Sequence, residues 1–155
     1  MSSEDDITYD RSMLGVEHHI GSFPITREMI LEFAASTAET HPLYSDEEQA
    51  KASAYGGLIA PPTFCNIFVD GLRRPDIKLD FGDVGLFASQ AIENVAPIRP
   101  GDTLEARTRL QEVYSKTGRS GKMVFVVWET RFSNQQGDTV VLVRDSFIRR
   151  NRPKS

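Results

Sequence analysis

The familiar motifs for moving a proton, attacking a carbonyl or holding a metal ion are mostly missing from this sequence. His18 and His19 are adjacent, so on a strand they point to opposite faces and cannot bind one metal together. The single cysteine, Cys65, lies in an apolar stretch with no general base beside it and reads as a small hydrophobe. One cysteine makes neither an internal disulfide nor a cysteine zinc site. No Walker loop and no GxGxxG occurs. What stands out is Phe33-Ala-Ala-Ser-Thr-Ala-Glu-Thr-His-Pro-Leu-Tyr44-Ser-Asp46, followed by Tyr55-Gly-Gly-Leu-Ile-Ala-Pro-Pro-Thr-Phe64. The first segment gathers Glu39, His41 and Tyr44, residue types that enzymes use for proton transfer.

The elements that must position these residues are legible from periodicity. Met29, Ile30, Phe33, Ala34 and Thr37 fall at helical spacing, and Thr26 stands where an N-cap accepts the first free amide hydrogens. Ser45-Asp-Glu-Glu48 reads as a capping box for a short helix through Ala52, with its acids at the favourable end of the dipole. Pro61-Pro62 leads into residues 63–72, where the spacing predicts a buried helix starting near Pro62. From Leu86 onward the pattern changes to period two, most clearly in Leu104-Glu-Ala-Arg-Thr-Arg-Leu110. Met123-Val-Phe-Val-Val-Trp128, then Val140-Val-Leu-Val143 running into Ser146-Phe-Ile148, read as long central strands. Turn residues at 97–102, 116–121 and 134–138 join them into an antiparallel meander.

The chain of 155 residues, 17.4 kDa, has room for one domain and a sizeable core. We place that domain at residues 13–150, between loose tails at 1–12 and 151–155. With 18 Lys and Arg against 22 Asp and Glu, the net charge is −4 and the basic residues are scattered, which argues against nucleic acid. No apolar run reaches the roughly 18 residues of a membrane span. The N-terminus carries acids where a secretory signal carries Lys or Arg, so a cytoplasmic location is expected.

The two segments together, in order and spacing, resemble the MaoC-like, (R)-specific hydratase and dehydratase family of the hot-dog fold. The form they are most similar to is the N-terminal, FAS1-like dehydratase branch, marked by a Pro-Leu-Tyr and an Ala-Pro-Pro-Thr-Phe. The likeness continues through Pro97-Ile-Arg-Pro-Gly-Asp-Thr-Leu104 and covers roughly residues 15–149. It implies an α+β hot-dog fold, with a curved antiparallel sheet wrapped around a central helix. Active members of the wider family use an aspartate and a histidine, five residues apart, on a water and an enoyl thioester. The matching positions here are Glu39 and Tyr44, with His41 where the family often has asparagine. A neutral tyrosine, with a pKa near 10, is a poor substitute for a histidine that titrates near neutrality. Active relatives also present the thioester carbonyl with a glycine N–H at the start of the central helix. Pro62 matches that glycine and has no N–H to give.

The resemblance therefore implies the substrate-holding half of a heteromeric hydro-lyase that interconverts 2-enoyl and (3R)-hydroxyacyl thioesters. A catalytic MaoC-like partner, in a heterodimer or heterotetramer, supplies the Asp/His pair and the oxyanion donor. Relatives of this kind include the substrate-holding subunit of the mycobacterial (3R)-hydroxyacyl-carrier-protein dehydratase and MaoC-like steroid enoyl-CoA hydratases. The thioester, carried on CoA or acyl-carrier protein, is expected against Tyr55, Ile59, Pro61, Pro62, Thr63 and Phe64. Arg99 and Asp102 flank Pro100-Gly101 and brace that loop or simply make its turn. No cofactor and no metal are implied. Two alternatives stay open: a self-sufficient homodimeric hydratase using Glu39, His41 and Tyr44, and a hot-dog thioesterase or acyl-thioester binding protein with Asp70 as its carboxylate. Each of the three motif residues has a structural role open to it: Glu39 as a cap on backbone amides, His41 as a loop residue holding the turn before Pro42, and Tyr44 in packing.

Overall fold

The computed structural model describes residues 6–154. Five strands, β1 (Glu17–Pro24), β2 (Val84–Asn94), β3 (Thr103–Gly118), β4 (Gly121–Ser133) and β5 (Thr139–Arg150), form one antiparallel sheet in the order β1-β3-β4-β5-β2. Among the described residues, four α-helices lie between β1 and β2: α1 (Arg27–Ser36), α2 (Pro42–Ser45), α3 (Glu47–Lys51) and α4 (Asn66–Val69). Alternation in β3 does what the period-two pattern requires, burying Leu104, Ala106, Thr108 and Leu110 while the residues between them stay partly exposed. Register sets these side chains in rows across the inner face: Ala106, Phe132 and Val141, then Thr108, Thr130, Val143 and Ile92, then Leu110, Trp128, Asp145 and Gln90. The outer face is charged, and there Glu129 is held by Arg109 at 2.9 Å and Arg144 at 2.8 Å. A sheet with one apolar and one charged face buries its inner side only under the helices.

The core has two parts. Ile25, Ile30, Phe64, Val69, Leu104, Phe132, Val141 and Val143 pack together beneath α1 and α4. At the opposite end Ile7, Ile77, Leu110, Val113, Val124, Val126 and Trp128 form the second part. Ile7 is 4% exposed, and the Asp10 amide donates to the Ile77 carbonyl at 2.7 Å. Packing thus begins inside the expected N-terminal tail, because apolar contacts more than sixty positions away anchor it; residues 1–5 of that tail lie outside the described residues. At the other end, residues 151–154 are exposed and irregular, and the Arg152 amide donates to Asp83 Oδ1 at 2.8 Å.

Three expected elements differ. Helix α4 is four residues long instead of spanning 63–72, because the chain from Pro61 winds in turns of i to i−3 spacing, with amide-to-carbonyl bonds such as Phe64 to Pro61 at 3.0 Å and Phe68 to Cys65 at 3.0 Å. Gly71, at φ +74°, ends it. The cap of α3 is Asp46, whose Oδ1 accepts from the Glu48 and Gln49 amides, and not Ser45. Ser45 closes α2 and donates its hydroxyl to the His41 carbonyl at 2.9 Å, so its backbone is already helical and cannot serve as a cap. The β3–β4 connection is shorter than 116–121, since both strands run on until only Arg119 and Ser120 turn. Thr26, by contrast, caps α1 as the spacing predicts, accepting from the Met29 amide at 3.2 Å. Among the described residues, no helix is long and apolar enough to cross a membrane.

Two measurements check this packing. Gly82 has φ +77°, and a Cβ there would meet the Arg150 backbone nitrogen at 2.8 Å. Urea unfolding of Gly82→Ala is expected to show a loss of more than about 1 kcal/mol, whereas Gly57→Ala, with open space around it, stays within about 0.5 kcal/mol of the parent. Burial pushes the Cys65 thiol up to about 12. A thiol reagent at neutral pH is therefore expected to label it only once denaturant unfolds the chain.

Candidate functional site

The first motif residues come together after α1. Ala38, at φ +55°, turns the chain out of the helix, and the Glu39 amide returns to the Ala34 carbonyl at 2.8 Å. Glu39 then folds its carboxylate back, and Oε1 accepts from the His41 amide at 2.9 Å. His41 caps α2, its Nδ1 accepting from the Leu43 amide at 3.2 Å. The His41 and Tyr44 rings lie 5.3 Å apart, tilted by 42°. Burial, and after it the charges of Glu39 and Tyr55, hold the Tyr44 phenol above its ordinary value near 10. Each of the three side chains is thus either engaged locally or poorly tuned for proton transfer at neutral pH.

Tyr44 also lines a cleft of about 240 Å³ with Tyr55, Ile59, Pro62, Asn94 and Val95. Three of the expected contact residues, Tyr55, Ile59 and Pro62, therefore share one cleft with Tyr44. The other three do not line it. Phe64 is fully buried, edge-on to Phe33 at 5.5 Å and to Phe68 at 5.8 Å, so it supports the segment from inside the core. Pro61 is buried as well, and Thr63 is exposed outside the cleft. The wall residues Asn94 to Ile98 escaped the sequence reading, because their place opposite Pro62 depends on the Ala60 amide reaching the Ile98 carbonyl at 2.9 Å.

Arg99 and Asp102 hold this wall. The Asp102 carboxylate accepts from the Arg99 amide at 2.8 Å and from Gln135 Nε2 at 3.0 Å, and the Arg99 guanidinium donates to the Tyr55 carbonyl. Both residues are thus part of the turn and tie it to the Tyr55 loop. His18 and His19 point to opposite faces of β1, and His19 pairs with Glu105 across the strands. No cluster of three His, Cys, Asp or Glu side chains suited to a metal occurs among the described residues.

The chain as a whole is similar to several known proteins. The family model for the FAS1-like dehydratase domain region matches residues 12–143. A UPF0336 protein of Thermobifida fusca is 30% identical over 138 residues, 85% of this chain and 88% of that one. The crystal structure of the HadBC complex of Mycobacterium tuberculosis, described as a (3R)-hydroxyacyl-ACP dehydratase, contains a chain 25% identical with a TM-score of 0.69, covering 90% of this chain and 98% of the other. A MaoC-like dehydratase from Rhodospirillum rubrum superimposes with a TM-score of 0.69 at 22% identity, over 91% and 94% of the two chains. The five-stranded antiparallel sheet with its short α4 is the hot-dog fold of those structures, and the chain belongs to the FAS1-like dehydratase family, whose solved structural neighbours are MaoC-like dehydratases.

Proposed function

We propose that this chain is the substrate-holding half of a heteromeric hydratase or dehydratase acting on 2-enoyl and (3R)-hydroxyacyl thioesters. The observation that carries the reading is Pro62. It lines the Tyr44 cleft at the head of the turns into α4, where an N–H would have to meet the thioester oxygen as the enolate forms, and a proline nitrogen has none. One such donor is typically worth about 10²–10³ in rate. The acid/base side adds to the deficit. Water addition needs a base at the water that attacks C3 and an acid that delivers a proton to C2. Glu39 is occupied by the His41 amide, the His41 acceptor nitrogen by the Leu43 amide, and the Tyr44 phenol is held high.

An open strand supports the partner. Strand β2 lies at the sheet edge with one neighbour, β5, and Leu86 and Phe87 along it are 44% and 59% exposed. An edge with unpaired amides and apolar side chains is suited to pairing with a second hot-dog chain. A MaoC-like subunit there completes the enzyme, supplying the Asp/His pair and the oxyanion donor while this chain shapes the acyl path. The HadBC complex is a heteromeric dehydratase of related chains.

The test is hydration of 2-enoyl-CoA substrates of several lengths by the purified chain, alone and co-expressed with a MaoC-like protein carrying the Asp/His pair. Turnover by the lone chain is expected to be at least about 10²-fold below that of the complex. Glu39→Gln and His41→Ala are expected to change kcat of the complex by less than about twofold, since neither side chain is given a proton-transfer role. Strong turnover by the lone chain, lost in either variant, overturns the reading in favour of a homodimeric hydratase. Release of free CoA that stops in Asp70→Asn overturns it in favour of a thioesterase.

A further inference from the structure

A second cavity, of about 610 Å³, opens along α4 and the chain that follows it, and Asn66, Asp70, Arg74, Gln90 and Asp145 are among its lining residues. Asp145 is 2% exposed and stands on β5 in the inner-face row of Leu110, Trp128 and Gln90, where the neighbouring rows carry Val143 and Phe147. Its Oδ2 accepts from Arg74 Nη2 at 2.8 Å and its Oδ1 from Gln90 Nε2 at 2.9 Å. The Arg74 side chain is 12% exposed, and its guanidinium lies over the Phe147 ring at 5.1 Å. A buried ion pair is seldom the cheapest way to hold a loop to a sheet, because desolvating both charges offsets much of their attraction and apolar side chains of similar volume do as well. In addition, Asn66 Oδ1 and Arg74 Nε are buried with no hydrogen-bond partner.

Charge and donor count define the group that fits. Asp70 and Asp145 outnumber Arg74, which is already paired with Asp145, so the lining disfavours a carboxylate or other anion. A neutral oxygen does better: Arg74, Gln90 and Asn66 line the cavity with N–H donors and side-chain carbonyl acceptors, so a keto group can accept and a hydroxyl can both accept and donate. The cavity also lies at a useful depth. Pro62 lines the Tyr44 cleft and Asn66, Val69 and Asp70 this cavity, and four to eight residues wound at roughly 1.5–2.0 Å each set those wall residues about 6–16 Å further along the chain's turns. Its Phe87 and Gln90 wall belongs to the exposed edge strand β2, so the partner chain would close it.

We propose that Arg74, Asp145, Gln90 and Asn66 form a polar specificity subsite that selects acyl thioesters carrying a hydroxyl or keto oxygen far along the acyl part. The inference rests on the reading that this chain holds the substrate. The probes are octanoyl-CoA and its ω-hydroxy analogue, titrated calorimetrically into the chain alone and into the co-expressed complex, with hydration of the matching 2-enoyl thioesters measured in parallel. The hydroxylated ligand is expected to bind on the order of tenfold tighter, the worth of a hydrogen bond to a charged group. The ratio is expected to fall towards one in the balanced double variant Arg74→Met with Asp145→Leu, which leaves no lone buried charge, and to fall also in Gln90→Leu, which carries the test if the double variant does not fold. Equal binding of the two probes by the parent protein, or a preference that survives Gln90→Leu and the double variant, overturns the subsite. Failure to form a complex or to hydrate either substrate overturns the heteromeric reading alone, because the binding ratio of the chain is read independently of turnover.

Discussion

Phe64 and Phe68 fix α4 to the sheet, and both clefts take their shape from that contact. Phe68 stacks on Phe23 of β1 at 4.3 Å and approaches Phe132 of β4 at 6.2 Å, while Phe64 meets Phe33 of α1 edge-on. Ring pairs of this kind add about 0.5–1.5 kcal/mol each beyond the area they bury. They join α1, β1, β4 and α4 into one apolar body. Propensity alone would not hold a four-residue helix, since helices so short are unstable without tertiary contacts. Pro62 therefore stands at the Tyr44 cleft, and Asn66 and Asp70 at the larger cavity, because the rings between them are packed.

On that frame, the two ends of α4 have opposite chemical character. At its head, donors and bases are spent: the proline has no hydrogen, and Glu39 and His41 satisfy backbone amides. Hydrogen bonds of this sort stabilise the turn after α1 at the expense of groups free to act on a ligand. At its tail, charge is buried within the apolar face and stays incompletely paired. A proline at one cavity and a buried polar cluster at the other are the two features on which the proposed ligand-holding role rests. The exposed β2 edge forms a wall of the larger cavity, and in the proposed heteromeric enzyme it would face the second chain.

The two faces of the sheet treat charge differently. Glu129 on the outer face is shared between Arg109 and Arg144, with Arg131 to Glu17 and Arg144 to Glu93 nearby, at distances from 2.8 to 3.4 Å. The pairs at the exposed Glu17 and Glu93 contribute little stability individually, whereas the Glu129 carboxylate is itself buried between its two arginines, whose side chains remain partly solvated. On the inner face Asp145 has two hydrogen-bonding partners and almost no water, so removal of Arg74 would strand a buried carboxylate.

The sequence by itself determined what depends on near neighbours. Strand β3 was legible because one wet and one buried face impose period two on Leu104 to Leu110; the Thr26 cap was legible because its acceptor and the Met29 amide are three residues apart; and the Pro-Leu-Tyr and Ala-Pro-Pro-Thr-Phe segments carried the family. Tertiary structure decided the rest. Ser45 and Asp46 can both cap a helix, and the chain chooses Asp46 because α2 has already taken Ser45 into a helical backbone. The apolar run after Pro62 is compatible with a long helix, yet docking of its phenylalanines onto the sheet winds it in tighter turns and leaves only α4. Arg74 and Asp145 are 71 positions apart, and Gln90 and Asp145 are 55 apart. No local pattern encodes such a meeting, because it depends on which strand pairs with which and in what register, and that is settled only when the whole sheet closes over α4.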